Sequence, residues 1–479
     1  MVKTRKKMKN TTSALAAIML AIGAFSACSA PPPSEEGFSA EDLQANINAN
    51  IAKDTSANLK IAIRANDSEE VIVKGLIDEF NAEYPNIRIT PVRVNGDAYD
   101  TTLASYVPAG TMPDLFWVNP NNLAYYYNNG VAFTLDNYIK KSGLDVSAYV
   151  QAAMNECQSN VGHYYMLPRD YVQLVMYYNK SLTSELISRS EKINEMPSAD
   201  WTWNDFLEIC GEFKNTGIIG DNYPVLDVEL RWEAVYYPFI RSFGGEIVNK
   251  EGNVVLEKGL EEDPQSNGAY RYLGELLRMK QRKFILGQET ATGASTNYYG
   301  GFSPFYIHSR SSLTDAYAAF STLEKEGKAS LSDLGVLPMP AIGEEPSVSA
   351  GCTGYAIYRD GKNKDAAWAF LKFMMTEKGQ EALSRTGNIV PVMISEREKE
   401  NPVWKQYPQG LSVDHDMFIA HAERGIGMNF LRQLPTETHA EALNFMRAMQ
   451  SNVLYNNGNR EEQIQLAADA MYNLLAYGK

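Results

Sequence analysis

The chain has 479 residues and a formal net charge of −14, and such an acidic surface argues against partners such as nucleic acid or anionic lipid. It contains four cysteines without a C-x-x-C pair, so neither a zinc site nor a disulfide framework is expected. We interpret Cys157, Cys210 and Cys352 as small buried hydrophobic residues.

The N-terminus has the pattern of an export signal. Five basic residues within residues 1–9 precede an apolar stretch, Ala14 to Ala24, that is too short to span a bilayer as a helix. The following Phe25-Ser26-Ala27-Cys28 is similar to the end of a bacterial lipoprotein signal. We therefore predict that residues 1–27 are removed and that lipidated Cys28 anchors the protein to the outer face of the cell membrane. The alternative is an ordinary secretory signal cleaved nearby.

Residues 28–57 are predicted to form a flexible tether behind this anchor. The stretch begins with Pro31-Pro32-Pro33 and is otherwise rich in Ser, Glu, Ala and Asn. Polyproline is stiff and the remainder is too polar to form a core. A short helix near Glu41 to Ile51 is compatible with the pattern.

Residues 58–168 alternate strand and helix patterns, which predicts a parallel sheet flanked by helices. The predicted strands begin near Leu59, Ile87 and Asp114. In such sheets, ligands bind beyond the carboxyl ends of the strands. This rule selects five candidate ligand-binding residues, Arg64, Asn66, Asp67, Trp117 and Asn119. The sequence is equally compatible with an alternative in which Trp117 belongs to the core and the other four residues are polar loop residues.

Residues 162–182, GHYYMLPRDYVQLVMYYNKSL, are predicted to be extended chain. Pro168 disfavours a helix at the residue before it, and Val172 to Tyr178 is a β-branched and aromatic run. Arg169 and Asp170 interrupt the apolar pattern where a buried strand would not place charges. They either form an ion pair at a strand edge or belong to a crossing between two domains, facing a cleft.

Aromatic content rises beyond this crossing. Residues 229–243 are predicted to form a helix that contains Trp232. Residues 297–302, NYYGGF, are a glycine-rich aromatic loop in which Tyr298 and Tyr299 would clamp a ligand. A packed surface loop is the equal alternative.

Several motifs between Leu59 and Val392 resemble those of one protein family. They are Gly110-Thr111-Met112-Pro113-Asp114, Gly162-x-x-Tyr165-x-Leu167-Pro168 with Tyr178-Asn179-Lys180, Trp201-Thr202-Trp203, Gly335 with Pro338-x-Pro340, Gly351-Cys352-Thr353-Gly354, and Thr386-Gly387-Asn388. Together they are similar to the extracellular solute-binding proteins of bacterial ABC importers, specifically family 1, the carbohydrate-binding family.

The resemblance implies an α/β fold of the two-lobed periplasmic-binding-protein type (type II). Each lobe would be a mostly parallel sheet flanked by helices, and hinge crossings would join the lobes. The implied N-terminal lobe comprises residues 58–168 and 341–393, and the C-terminal lobe comprises residues 169–340 and 394–479. A ligand would stabilise the closed form of the cleft, as in periplasmic binding proteins generally.

The resemblance also implies roles for particular residues. Trp232 would line the pocket, and Asn388 would lie on the last crossing. Gly351 and Gly354 would let the backbone approach the ligand, although a tight turn requires glycine equally. The implied partners are a neutral mono- or oligosaccharide and an ABC permease, and we expect a monomer.

Neutral sugar is favoured because Trp117, Trp232 and Asp170, with several tyrosine pairs, combine flat apolar faces with hydrogen-bonding groups. A phosphate or an acidic sugar would prefer more cations than Arg64 and Arg169. The alternatives are a secreted glycan hydrolase, which needs only two carboxylates at the right separation, and a surface adhesin. No G-x-S-x-G, H-E-x-x-H, P-loop or G-x-G-x-x-G motif occurs, so we expect no catalytic residues, metal ion or cofactor.

Overall fold

The computed structural model describes residues 40–159, 161–286, 296–406, 408–427 and 430–477. The strands are β1 (Ala57–Arg64), β2 (Ile87–Val94), β3 (Leu115–Val118), β4 (Leu167–Pro168), β5 (Val172–Asn179), β6 (Leu226–Asp227), β7 (Phe305–Ser309), β8 (Leu334–Pro338), β9 (Val348–Gly351), β10 (Gly354–Ile357) and β11 (Gly425–Ile426). The α-helices are α1 (Ala40–Gln44), α2 (Asp67–Glu83), α3 (Tyr99–Tyr106), α4 (Pro120–Asn128), α5 (Asp136–Ser142), α6 (Gln151–Glu156), α7 (Lys180–Arg189), α8 (Trp203–Asn215), α9 (Glu233–Ser242), α10 (Gly268–Gln281), α11 (Thr296–Tyr299), α12 (Leu313–Lys325), α13 (Lys364–Met374), α14 (Glu377–Ser384), α15 (Ile394–Arg397), α16 (His439–Tyr455) and α17 (Arg460–Tyr477).

Two sheets define two lobes. The sheet of the N-terminal lobe has the order β2-β1-β3-β10-β4, and that of the C-terminal lobe has the order β11-β9-β5-β7-β6, with β8 paired to β5. β1 runs parallel to β2 and β3, as predicted from the alternation of strands and helices. β10 is antiparallel to its neighbours, and so is β5. The sheets are therefore mixed, because strands that arrive from the other lobe enter them in the opposite direction.

Two crossings link the sheets within short segments. The chain leaves β4 in the N-terminal lobe and enters β5 in the C-terminal lobe through residues 169–171. It returns from β9 to β10 through Cys352 and Thr353. The sequence prediction started the second N-terminal-lobe segment at residue 341, but residues 348–351 pair with β5 and β11 in the other sheet. The return therefore occurs about ten residues later than predicted.

Part of the predicted tether packs against the N-terminal lobe. Asp42 pairs with Arg359 at 3.2 Å, and the Asn48 amide donates to Asp365 Oδ1 at 3.0 Å. Ala49 is buried in the core of this lobe. Residues 42–49 therefore make specific contacts where a flexible tether was expected, whereas Cys28 and the signal lie outside the described residues. Among the described helices, none has the length and hydropathy needed to cross a membrane.

Candidate functional site

A cavity of about 510 Å³ is lined by residues of both lobes, and this volume lies within the range of about 300–1,000 Å³ typical of small-molecule sites. Its walls come from the carboxyl ends of β1 and β3, the crossing after β4, and the segment that follows β7. The lining residues are Arg64, Asn66, Ser68, Glu69, Ile72, Trp117, Asn119, Arg169, Asp170, Tyr171, Val172, Trp232, His308, Ser309, Arg310, Ser311, Thr314, Asp315, Thr353, Asn388 and Ile389. Seven predicted site residues are among them, namely Arg64, Asn66, Trp117, Asn119, Asp170, Trp232 and Asn388.

Two asparagines on the N-terminal-lobe wall cap helices. Asn66 Oδ1 accepts a hydrogen bond from the Glu69 amide at 2.7 Å at the start of α2. Asn119 Oδ1 accepts one from the Asn121 amide at 3.1 Å at the start of α4. Because each cap uses the carbonyl oxygen of the side chain, it does not involve the Nδ2 donor. Asp67 is the first residue of α2, and its side chain lies outside the described part of the chain.

Arg64 and Trp117 form a second feature of this wall. The Arg64 guanidinium lies 5.2 Å from the centre of the Trp117 ring, and its Nη2 donates to the Gly96 carbonyl at 3.4 Å. Tyr99 meets the same indole edge-on. Trp117 is only 6% exposed, so it belongs to the core and also contributes to the cavity wall.

A buried ionic cluster holds the crossing at the base of the cavity. The Arg169 guanidinium contacts Glu69 at 2.5 Å and Asp170 at 2.8 Å. Asp170 Oδ1 also accepts the Thr353 amide at 2.7 Å and its hydroxyl at 3.0 Å. Glu69 accepts the Tyr355 hydroxyl at 2.8 Å. Both oxygens of Asp170 therefore bond to protein groups, and the cluster ties the outgoing crossing to the returning one.

The C-terminal-lobe wall is an aromatic stack. The half-buried Trp232 ring lies 5.1 Å from the His308 ring, which stacks in turn on Tyr306 at 5.6 Å. His308 Nδ1 lies 2.7 Å from the Ser312 hydroxyl. Burial lowers the pKa of His308 to about 4, so the imidazole is neutral at pH 7. Trp232 and His308 therefore present an uncharged, flat surface to the cavity, beside the charged Arg310 and Asp315 of the same wall.

Arg310, next to this stack, is a buried cation with many contacts. Its Nη1 donates to His415 Nδ1 at 2.8 Å, and its Nη2 donates to the Trp404 carbonyl at 2.5 Å. The guanidinium also lies about 5 Å from the Trp404 and Phe418 rings. Burial lowers the pKa of Arg310 to about 9 and, together with the charge of Arg310, that of His415 to about 3. At neutral pH the arginine is thus charged and the histidine is its neutral acceptor.

Four predicted residues whose surroundings the structure describes, Tyr298, Tyr299, Gly351 and Gly354, are not among the residues that line the cavity. Tyr298 is fully buried among Tyr177, Tyr306 and Phe320, and Tyr299 packs against the same cluster. Gly351 lies within β9. A Cβ at Gly354 would stand 2.2 Å from the Leu167 carbonyl oxygen, so the close backbone approach there is between two strands.

The segment from His308 to Asp315 and the Glu69 carboxylate were not among the predicted site residues. His308 and Ser309 end β7, and Thr314 and Asp315 lie in the first turn of α12. The rule about carboxyl ends of strands applies here as well, but the short β7 was not recognised. Glu69 appears in the sequence only as an acidic residue in the first turn of a predicted helix.

Residues 66–381 match the family model described as "Bacterial extracellular solute-binding protein". Proteins named as binding proteins in Brucella abortus and Brucella suis are each 23% identical over 318 residues, which is 65% of this chain and 70% of the relative.

Solved structures share the fold at low identity. The GacH receptor of Streptomyces glaucescens, solved unliganded and with acarbose, has a TM-score of 0.69 at 17% identity and covers 88% of this chain and 100% of its own. An ABC substrate-binding protein of Listeria monocytogenes, solved with cycloalternan, has a TM-score of 0.68 at 15% identity, with coverages of 88% and 100%. The sugar-binding protein MalE of Xanthomonas citri has a TM-score of 0.69 at 15% identity, with coverages of 88% and 98%. These similarities confirm the predicted two-lobed fold.

Proposed function

Because the chain belongs to the bacterial extracellular solute-binding proteins, we propose that it captures a neutral sugar or oligosaccharide in the cavity between its lobes and delivers it to an ABC permease. The family consists of binding proteins that act outside the cytoplasm. The family match supports solute binding outside the cytoplasm. That the ligand is a sugar, that it is neutral and that a permease receives it are our proposals.

The proposal rests on the half-buried Trp232 ring, which lies against the neutral ring of His308. An indole face packs well against the C–H face of a sugar ring, and the neutral His308 beneath it adds no charge that an uncharged ligand would have to desolvate. Across the cavity, the Nδ2 groups of Asn66 and Asn119 supply donors for hydroxyl groups. Flat apolar surface with a few oriented polar groups is typical of such small-molecule sites.

The charges around the cavity favour a neutral ligand. Arg169 is paired with two carboxylates, and the donors of Arg310 reach His415 and the Trp404 carbonyl. Arg64 lies on an indole ring. An anionic ligand would require guanidinium groups available for bidentate contact. The structural relatives solved with acarbose and with cycloalternan lend support to a carbohydrate ligand.

The same arrangement disfavours the alternative of a glycan hydrolase. Three carboxylates line the cavity, and two of them, Glu69 and Asp170, are held by Arg169 and by hydroxyl or amide donors. Asp315 is the third, and burial raises its pKa, but one carboxylate does not supply the pair that glycoside hydrolysis needs. A general acid needs a carboxyl group that is free to approach the substrate, and Glu69 and Asp170 are held by protein groups.

We further propose that lipidated Cys28 anchors the protein and that the predicted tether ends by Ala40, where helix α1 begins. The N-terminal lobe then comprises residues 40–168 and 353–393, and the C-terminal lobe comprises residues 172–351 and 394–477. The packing of residues 42–49 on the N-terminal lobe supports a shorter tether than residues 28–57.

The test is a thermal-shift screen, followed by calorimetry, on the chain without residues 1–28. A ligand at about 100 times its Kd stabilises a protein by roughly 2.7 kcal/mol, which raises Tm by a few degrees. We expect one class of neutral glycan to produce this shift and to be recovered intact. Acidic sugars, glycerol phosphates and peptides serve as the comparison ligands.

The matched variants are Trp232→Ala in the cavity wall and Tyr223→Ala, an exposed aromatic that stacks on Phe302 away from the cavity. We expect Trp232→Ala to weaken binding at least tenfold and Tyr223→Ala to leave it unchanged. Consumption of the glycan would favour the hydrolase. A shift with acidic sugars alone would refute the neutral ligand.

A further inference from the structure

A chain of hydrogen bonds crosses the cavity from one lobe to the other. Thr314 Oγ1 donates to Asn388 Oδ1 at 3.0 Å, and Asn388 Nδ2 donates to Ser68 Oγ at 3.1 Å. All three residues line the cavity. Both ends of the Asn388 amide are therefore occupied by protein hydroxyl groups, although the sequence predicted a ligand contact at this position.

The fold assigns the three residues to different lobes. Ser68 lies in α2, which packs on the N-terminal sheet, and Asn388 follows α14, which packs on α2. Gly387, with φ of 86°, turns the chain just before Asn388. Thr314 lies in α12, directly after β7 of the C-terminal sheet. The bond between Asn388 and Ser68 thus orients the amide within one lobe, while the bond to Thr314 joins the lobes.

We propose that Asn388 is a latch that stabilises the closed cleft in the absence of ligand, with Thr314 as its partner in the opposite lobe and Ser68 as its support. The latch deepens the proposed function, because it would set how much of the protein is closed before a sugar arrives. The latch accounts for the position of the amide by protein contacts alone, since one bond at each end orients it.

The expected effect follows from the strength of one hydrogen bond. A typical net contribution changes an equilibrium by roughly two- to twelvefold, and the partly exposed position of these groups favours the lower part of that range. Removal of the latch should therefore reduce the closed-to-open ratio of the unliganded protein by about two- to fivefold. If the closed form is the minor one, the apparent affinity for ligand falls by the same factor.

A direct ligand contact is the competing interpretation, and it predicts a different pattern. If Asn388 bonded to the ligand, its removal would weaken binding without changing the unliganded protein. Thr314→Val, which keeps the shape of the side chain and removes its hydroxyl, would then have little effect on the lobes. The two interpretations therefore separate in an experiment that needs no ligand.

The experiment measures the distance between the lobes by single-molecule fluorescence transfer. Dyes are attached to cysteines introduced by Thr101→Cys on α3 and Ser184→Cys on α7, which are exposed positions. The cysteines present within the described residues are buried. The variants are Thr314→Val, Asn388→Ala and the double variant. Thr322→Val is the control, because the Thr322 hydroxyl bonds to the Ala318 carbonyl within the same helix, α12.

We expect Thr314→Val and Asn388→Ala each to lower the closed-to-open ratio two- to fivefold, the double variant to lower it no further, and Thr322→Val to leave it unchanged. An unchanged ratio in Asn388→Ala, or additive effects in the double variant, would overturn the latch. Because this measurement is made without ligand, the latch is tested even if no neutral sugar binds. A failure of the proposed function would appear only in the ligand screen.

Discussion

Arg169→Met should destabilise the protein strongly. It removes the cation of the buried ionic cluster that Arg169 forms with Glu69 and Asp170. The side chains of Arg169, Glu69 and Asp170 are 8%, 8% and 6% exposed, respectively. Methionine fills a similar volume but leaves two carboxylates buried without their counter-charge. The cluster connects α2 to the crossing after β4, so the loss is expected to affect both lobes.

The magnitude follows from the burial of the pair. Removing one partner of a buried ion pair typically costs about 3–5 kcal/mol. Here Asp170 keeps its bonds from Thr353 and Glu69 keeps its bond from Tyr355, which places the expected loss near the lower end, about 3 kcal/mol. The triple variant Glu69→Gln, Arg169→Met, Asp170→Asn removes all three charges and should recover at least half of the loss, because the uncompensated charge is then absent.

Urea unfolding followed by circular dichroism measures these differences as changes in the free energy of unfolding. The control is Arg385→Met, which breaks an exposed pair with Glu79 whose side chains are 48% and 37% exposed. An exposed pair contributes about 0–1 kcal/mol. Equal losses in Arg169→Met and Arg385→Met would refute the role assigned to the cluster, and so would a triple variant less stable than Arg169→Met.

Two further predictions concern pH and close packing. The pKa of His308 is about 4 in the folded protein because of burial, whereas the unfolded value is about 6.5. The unfolded chain therefore binds the proton more readily, and this group's contribution to stability falls by up to about 3 kcal/mol as pH falls from 6.5 to 4. His308→Gln should flatten the stability profile in that window by urea unfolding, and an identical profile would contradict the assignment. Gly354→Ala should destabilise the protein by at least about 2 kcal/mol, because its Cβ would stand 2.2 Å from the Leu167 carbonyl oxygen. Gly220→Ala, which meets no atom within 4 Å, is the control and should change the unfolding free energy little.

The sequence predicted the first half of the fold closely because its signals are local. β2 begins at the predicted residue, and β1 and β3 begin within a few residues of the predicted positions. The return crossing was predicted about ten residues early, because β9 was not recognised as a strand of the C-terminal sheet. The hydrophobic pattern of the sequence indicates that a strand is buried, but it does not indicate which sheet the strand joins.

The sequence located residues at the cavity where topology alone determines position, and their role in binding stays a prediction. The carboxyl ends of β1 and β3 meet at one edge of a sheet, and Arg64, Asn66, Trp117 and Asn119 all line the cavity there. The wall from His308 to Asp315 was missed because β7, whose apolar run ends in His308 and Ser309, was not recognised as a strand. Tyr298 was chosen for its aromatic ring, yet an aromatic residue beside glycines is as suitable for a core as for a pocket.

Proximity to the cavity and availability to a ligand are separate properties, as Asp170 and Asn388 illustrate. Both line the cavity, but the oxygens of Asp170 and both ends of the Asn388 amide are bonded to protein groups. Asn66 and Asn119 differ, because the helix uses Oδ1 and thereby orients Nδ2. A donor held in place by its own helix loses little conformational freedom when a ligand binds. The polar groups that control hinge geometry are thus distinct from those available for recognition, so substitutions at the two sets should change lobe closure and ligand preference separately.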